Sequence, residues 1–166
     1  MARPPRIPDF DYVGPLAVFF TISTRSRRPA FLDPEIAGYA VDQILQIAEA
    51  FEIELSAYCF MPDHVHVLAM GLHDQSETVT MIVRWKQKTG YWHRQRTREF
   101  LWQPGYWERV LRDEDDVAQA VRYIVANPLR AGLAIDLTTY PWIGASRWTI
   151  KELADACQDC ERPDWW

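Results

Sequence analysis

Cysteine is scarce in this chain: three residues in 166, an odd number. A disulfide-stapled scaffold needs an even and denser set, so that class is excluded. Cys157 and Cys160 form a single CxxC near the end, and no second pair completes four zinc ligands. A polar tail that carries two thiols is the plain reading. No apolar run approaches the roughly 18 residues a membrane span needs. The first residues, MARPPRIPDF, lack an apolar stretch that would serve as a secretory signal. A soluble, cytoplasmic protein without a membrane partner is expected. An excess of basic charge is missing too, the formal net charge being -5, which opposes broad binding to nucleic acid.

What is present is unevenly placed. Arg84, Lys86, Lys88, Arg94, Arg96 and Arg98 follow one another with no acid between them, interleaved with Trp85, Tyr91 and Trp92. Acids gather at residues 113–116 and towards the end. At 48% hydrophobic, the chain has enough apolar residues for one ordinary core.

Periodicity supplies the elements. Leu16 to Thr24 is β-branched and aromatic, as in a buried strand. Asp33-Pro34-Glu35 opens a helix that ends near Phe51. Ile53 to Met61 and His64 to Met70 read as strands joined at Pro62-Asp63. A second helix starts near Ser76 or Thr78 and is expected to break at Gly90; a strand follows at Trp107 to Leu111. Val117, Ala120, Val121 and Ile124 mark a third helix, expected to stop at Asn127 because Pro128 follows. The order β-α-β-β-α-β, then α, predicts an α+β ferredoxin-like sandwich: an antiparallel sheet, helices on one face, and a further helix.

Two histidines stand out. His64 and His66 are two apart on a strand, so they share a face. Imidazoles so placed could hold one metal ion, yet HxH is a common pattern and decides nothing alone. Neither His73 nor His93 makes a third ligand by spacing. Tyr123 and Asn127 lie four apart on the third helix, at the edge of its apolar stripe. Taken alone, a tyrosine at a core's rim and an asparagine before proline are ordinary.

Longer stretches resolve this. CFMPDHVHVL at Cys59 to Leu68, LWQPGYWERVLRDEDD at Leu101 to Asp116 and VRYIVANPLRAGL at Val121 to Leu133 resemble the REP-associated tyrosine transposases, within the HUH single-strand transposases. FFTISTRSRRPAF resembles that family's first strand and arginine-bearing loop, and residues 163–166 also resemble its end. The resemblance covers nearly the whole chain and implies the HUH fold. His64 and His66 match its metal pair for Mg²⁺ or Mn²⁺, Tyr123 its nucleophile, and Asn127 a third-ligand position more often held by Gln. The implied activity is endonuclease and strand transfer on single-stranded DNA at hairpins such as REP-like palindromes, through a 5′-phosphotyrosine. Both monomers and homodimers fit the resemblance.

Arg84, Lys86, Lys88, Arg94 and Arg96 are then candidate DNA contacts, with aromatics for stacking. Arg25, Arg27, Arg28 and Arg130 join them. Residues 1–133 are expected to form the catalytic domain, and 134–166 a tail packed on it. The rival reading is a domesticated hairpin-binding protein that no longer cleaves.

Overall fold

The computed structural model of the protein describes residues 11–155. Cys157, Cys160 and residues 163–166 lie outside them, as do the first ten residues. The elements are β1 (Ala17–Ser23), α1 (Pro34–Ala50), β2 (Ile53–Met61), β3 (His64–Gly71), α2 (Thr78–Thr97), β4 (Trp107–Leu111), α3 (Glu114–Arg130), β5 (Ile143–Gly144) and α4 (Ile150–Asp155). The strands form one antiparallel sheet in the order β4-β1-β3-β2-β5. Its first four strands carry the order that two interlocked split β-α-β units produce, so the predicted α+β sandwich is the observed one.

Both faces of the sheet are covered. Val18, Phe20 and Ile22 of β1 join Val65, Val67 and Ala69 of β3 beneath α1 and α2. Phe19 and Leu68 point the other way, into a second cluster with Tyr123 and Ile124 of α3. That double burial is why β1 reads as a continuous apolar run and not as an alternation. In β2 the register shifts between Leu55 and Ala57. Leu55 lies in the first cluster together with Tyr58 and Phe60, whereas Ala57, Cys59 and Met61 lie in the second. An unbroken strand would keep Leu55 and Ala57 on one side; the bulge at Ser56 resets the alternation.

The helix starts follow local chemistry. Asp33 accepts a hydrogen bond from the Glu35 backbone N–H, with Pro34 in the first turn of α1. Asp113 likewise accepts from the Asp116 N–H, and three acids occupy the first turn of α3.

Two expected helix ends are not where local rules put them. α2 runs through Gly90 without a break to Thr97. A side chain at Gly90 would begin 3.3 Å from the Trp102 ring, so the glycine admits that indole and does not end the helix. Trp102 donates to Thr89 and packs on Trp85, which is fully buried and donates to the Ala40 carbonyl. Such burial exceeds the roughly 1 kcal/mol that a mid-helix glycine costs. α3 likewise continues past Pro128 to Arg130. Pro128 is buried, and its carbonyl accepts from the Leu133 and Ala134 N–H groups. Asn127 and Arg130 both donate to the Tyr123 carbonyl, tying the last turns together.

Downstream of α3, β5 pairs with Tyr58 and Cys59, and the Tyr140 hydroxyl donates to the Phe60 carbonyl. The free edge of β2 is thereby partly covered. No helix among the described residues is long and apolar enough to cross a membrane.

Candidate active site

His64 and His66 open β3 on the face that α3 covers. The strand register sets His66 between Thr21 of β1 and Cys59 of β2, with Trp107 of β4 beyond Thr21. The two imidazole Nε2 atoms approach to 3.2 Å. The opposite nitrogens are each held: His64 Nδ1 lies 2.6 Å from Asp63 Oδ1, and His66 Nδ1 lies 3.0 Å from Thr21 Oγ1. Asp63 is itself fixed. Its carboxylate lies 3.5 Å from the Arg27 guanidinium, and its carbonyl accepts from the Thr24 N–H and hydroxyl.

His66 is 2% exposed. It stacks on Phe19 at 5.6 Å between centroids, and Tyr123 meets it edge-on at 5.5 Å. Burial holds the His66 imidazolium well below its ordinary range, and the charges of His64, Arg130 and Arg27 push the same way. Burial also lowers His64, outweighing the hydrogen bond and charge of Asp63. Both rings are therefore neutral near pH 7, the form in which histidine binds metal. The unfolded chain takes up these protons near pH 6.5 and the folded one only at lower pH. Stability contributed by the neutral pair is thus present above pH 6.5 and lost as pH falls below it. In metal-free protein the urea midpoint should fall between pH 7 and pH 5, and by less in His66→Gln.

The pair fits a divalent cation. Two imidazoles on one ion, at metal–nitrogen distances of about 2.1 Å, place their nitrogens roughly 3.0–3.4 Å apart, which brackets the observed spacing. Among the described residues no cluster of three or more His, Cys, Asp or Glu could hold a metal, so a third donor drawn from these residues is of another type. Asn127 is the candidate. Its amide nitrogen donates to the Tyr123 carbonyl at 2.9 Å, leaving its amide oxygen as the donor atom on offer.

Tyr123 sits deeper than a rim position, at 7% exposure. Phe19 packs edge-on against it at 6.2 Å. The Arg130 guanidinium lies 4.3 Å from the ring centroid and donates to the Tyr123 carbonyl. The structure thus brings Tyr123 and Arg130 to the histidine pair, and Asn127 lies one turn along α3 from Tyr123, bonded to its carbonyl. Cys59, opposite His66, is buried with its thiol pushed up by that burial and stays unionised.

The other candidates are dispersed. Arg27 joins the site through Asp63, while Arg28 is tied to Glu99 and to the Phe100 carbonyl. Arg25 is exposed on the same loop. The basic run lies on α2, whose core residues belong to the cluster on the opposite face of the sheet. There Arg84, Lys88 and Arg96 line a groove of about 890 Å³ with Tyr39, Tyr91 and Trp92. Lys86 donates to the Gln103 and Gly105 carbonyls, and Arg94 lies over Phe100. Arg96 pairs with Glu35. Trp85 is core, as expected. His73 faces Glu52, and His93 bonds the Glu99 carbonyl, each away from the histidine pair. Sequence reasoning missed Thr21 and Asp63. Asp63 is visible as the neighbour of His64; Thr21 is not, because only strand pairing brings it to His66.

Known proteins bear on this geometry. The family model described as "Transposase IS200 like" matches residues 14–127. A Haemophilus influenzae protein assigned to the REP-associated tyrosine transposases is 28% identical over 137 residues, covering 75% of this chain and 76% of its own length. The REP-associated tyrosine transposase of Escherichia coli K12 is 27% identical over 128 residues, covering 75% and 73%. A solved REP-associated tyrosine transposase bound to a REP hairpin superposes with a TM-score of 0.68 at 22% identity, covering 86% of this chain and 82% of that one. At that identity the superposition speaks for the fold.

Proposed function

Because this chain belongs to the IS200-like transposase family, we propose that it cuts and rejoins single-stranded DNA at hairpins through a 5′-phosphotyrosine. The observation that carries this reading is the Tyr123 ring, 5.5 Å from His66 and 4.3 Å from the Arg130 guanidinium, beside two converging imidazole nitrogens. A nucleophile, a cation and a candidate metal pair on one sheet face are the parts that phosphodiester transfer needs.

Tyr123 is the nucleophile. Its phenol gives up a proton, Oη bonds to phosphorus, and the bond from phosphorus to the 3′-oxygen breaks. The departing 3′-oxygen takes a proton, and the DNA 5′ end stays on the protein. Energy conserved in the phosphotyrosine lets a 3′-hydroxyl attack later and reseal the strand without ATP. His64 and His66, with the Asn127 amide oxygen as candidate third ligand, would hold a divalent cation, Mg²⁺ or Mn²⁺, which would supply Lewis acidity. Arg130 places positive charge over the phenol ring, where it favours an anionic phosphate nearby.

The partner is DNA carrying a hairpin such as a REP-like palindrome. With a net charge of -5, binding relies on local basic surface: Arg27 beside the site, Arg25 and Arg28 on the same loop, and the α2 groove on the opposite face. Monomer and homodimer both accommodate this chemistry, because every assigned group lies on one chain.

Labelled hairpin oligonucleotides incubated with Mn²⁺ should yield a covalent protein–DNA adduct that survives denaturing electrophoresis. EDTA should prevent it. Hairpins that bind tightly and are never cut, across several sequences, would favour the hairpin-binding protein that has lost cleavage.

A further inference from the structure

We propose that Asp63 and Thr21 are positioning residues: Asp63 fixes the His64 proton on Nδ1, Thr21 holds His66 Nδ1 in either tautomer, and together they aim both Nε2 atoms at one divalent cation. The inference rests on the metal pair proposed above.

A carboxylate only accepts hydrogen bonds. Asp63 Oδ1, 2.6 Å from His64 Nδ1, therefore requires the proton on Nδ1 and leaves Nε2 as a lone pair. A hydroxyl both donates and accepts, so Thr21, 3.0 Å from His66 Nδ1, supports either tautomer. Without metal, the Thr21 hydroxyl donates to Nδ1 while His66 Nε2–H donates to His64 Nε2 across their 3.2 Å separation. With metal, His66 would carry its proton on Nδ1 and donate to Thr21 Oγ1, and both Nε2 atoms would present lone pairs to the cation. Each ring holds one proton in both states, so loading the pair releases none. The asymmetry is specific: His64 is preset, and His66 switches.

Neither side chain is needed for the local backbone. The turn at Asp63 is held through its carbonyl, by the Thr24 N–H and hydroxyl. Thr21 sits in the β1 ladder between β3 and β4, whatever its side chain. Arg27, 3.5 Å from the Asp63 carboxylate, steadies the group that orients His64. Outer partners of this kind typically govern metal affinity about ten- to hundredfold.

Two measurements on the full chain test this. Long-range proton–nitrogen NMR of metal-free protein should show His64 protonated on Nδ1 in wild type and in Asp63→Asn, whose amide oxygen still accepts. Asp63→Ala should show mixed tautomers. Mn²⁺ titration followed by electron paramagnetic resonance should show about ten- to hundredfold weaker binding in Asp63→Ala and Thr21→Val. Thr21→Ser should restore it, and Asp63→Asn should fall between. Melting curves identify any variant that fails to fold, for which the conservative partner then decides. Wild-type Mn²⁺ affinity and an unchanged His64 tautomer in Asp63→Ala would overturn the positioning role. A wild-type protein that binds no Mn²⁺ would instead overturn the metal pair itself, and this inference with it.

Discussion

Tyr123→Phe is expected to abolish the covalent DNA adduct while leaving hairpin binding intact. The substitution removes one oxygen and keeps the ring. That ring packs against Phe19 and His66 and lies beneath the Arg130 guanidinium, and phenylalanine preserves all three contacts. Folding stability should change by no more than about 1.5 kcal/mol, the usual scale for losing one hydrogen-bonding group. Adduct formation should fall at least about a thousandfold, to the limit of detection, because phenylalanine offers no oxygen to bond phosphorus. Denaturing gels read the adduct, and mobility shift at moderate salt reads affinity, expected within about threefold of wild type. Surviving adduct in this variant would place the nucleophile elsewhere. Adduct and binding lost together, with melting unchanged, would mean the hydroxyl holds DNA and does not attack it.

The second large effect belongs to His66→Ala, and it separates the two histidines. His66 is 2% exposed, whereas the His64 side chain is 19% exposed at the mouth of the site. Truncating His66 removes the stack on Phe19, strands the Thr21 hydroxyl and opens a void beside Tyr123. A cost of roughly 2–3 kcal/mol follows from the range for large-to-small core changes, read as a lower urea midpoint at unchanged slope. His64→Ala should cost less, about 1 kcal/mol, since its ring is already partly open to solvent. Both variants should lose Mn²⁺ binding and adduct formation alike. Equal effects on chemistry with unequal effects on stability would mark one metal pair, half of which also serves as core. If His66→Ala, assayed below its melting temperature, still forms adduct with Mn²⁺, the histidine pair is structural.

Arg130 and Tyr123 show how far local reading reaches. Four- and seven-residue offsets along α3 are plain in the sequence. That the helix stays intact through Pro128, so that Arg130 can fold back to the Tyr123 carbonyl, is not. The proline rule is a local steric preference; the buried ring and the carbonyl contacts to residues 133 and 134 outweigh it. Gly90 teaches the same lesson, because its meaning depends on Trp102, twelve residues away.

By itself the sequence determined whatever depends on neighbours along the chain. The bounds of β2, the Asp33 cap of α1, the common face of His64 and His66, and the order of elements all follow from short-range sterics and periodicity. Its motifs also pointed to the family. Only the tertiary structure decided what meets across the sheet. The β1–β3 register puts Thr21 at His66, and the docking of α3 puts Tyr123 against the same ring. The opposite face takes α2, and its basic groove lies across the sheet from the histidines. The reason is physical: register and docking are chosen by burial summed over many distant residues, and a slip of one position would turn every side chain to the other face. No local window carries that sum, so the imidazole pair was legible as a pattern and became a site only in the fold.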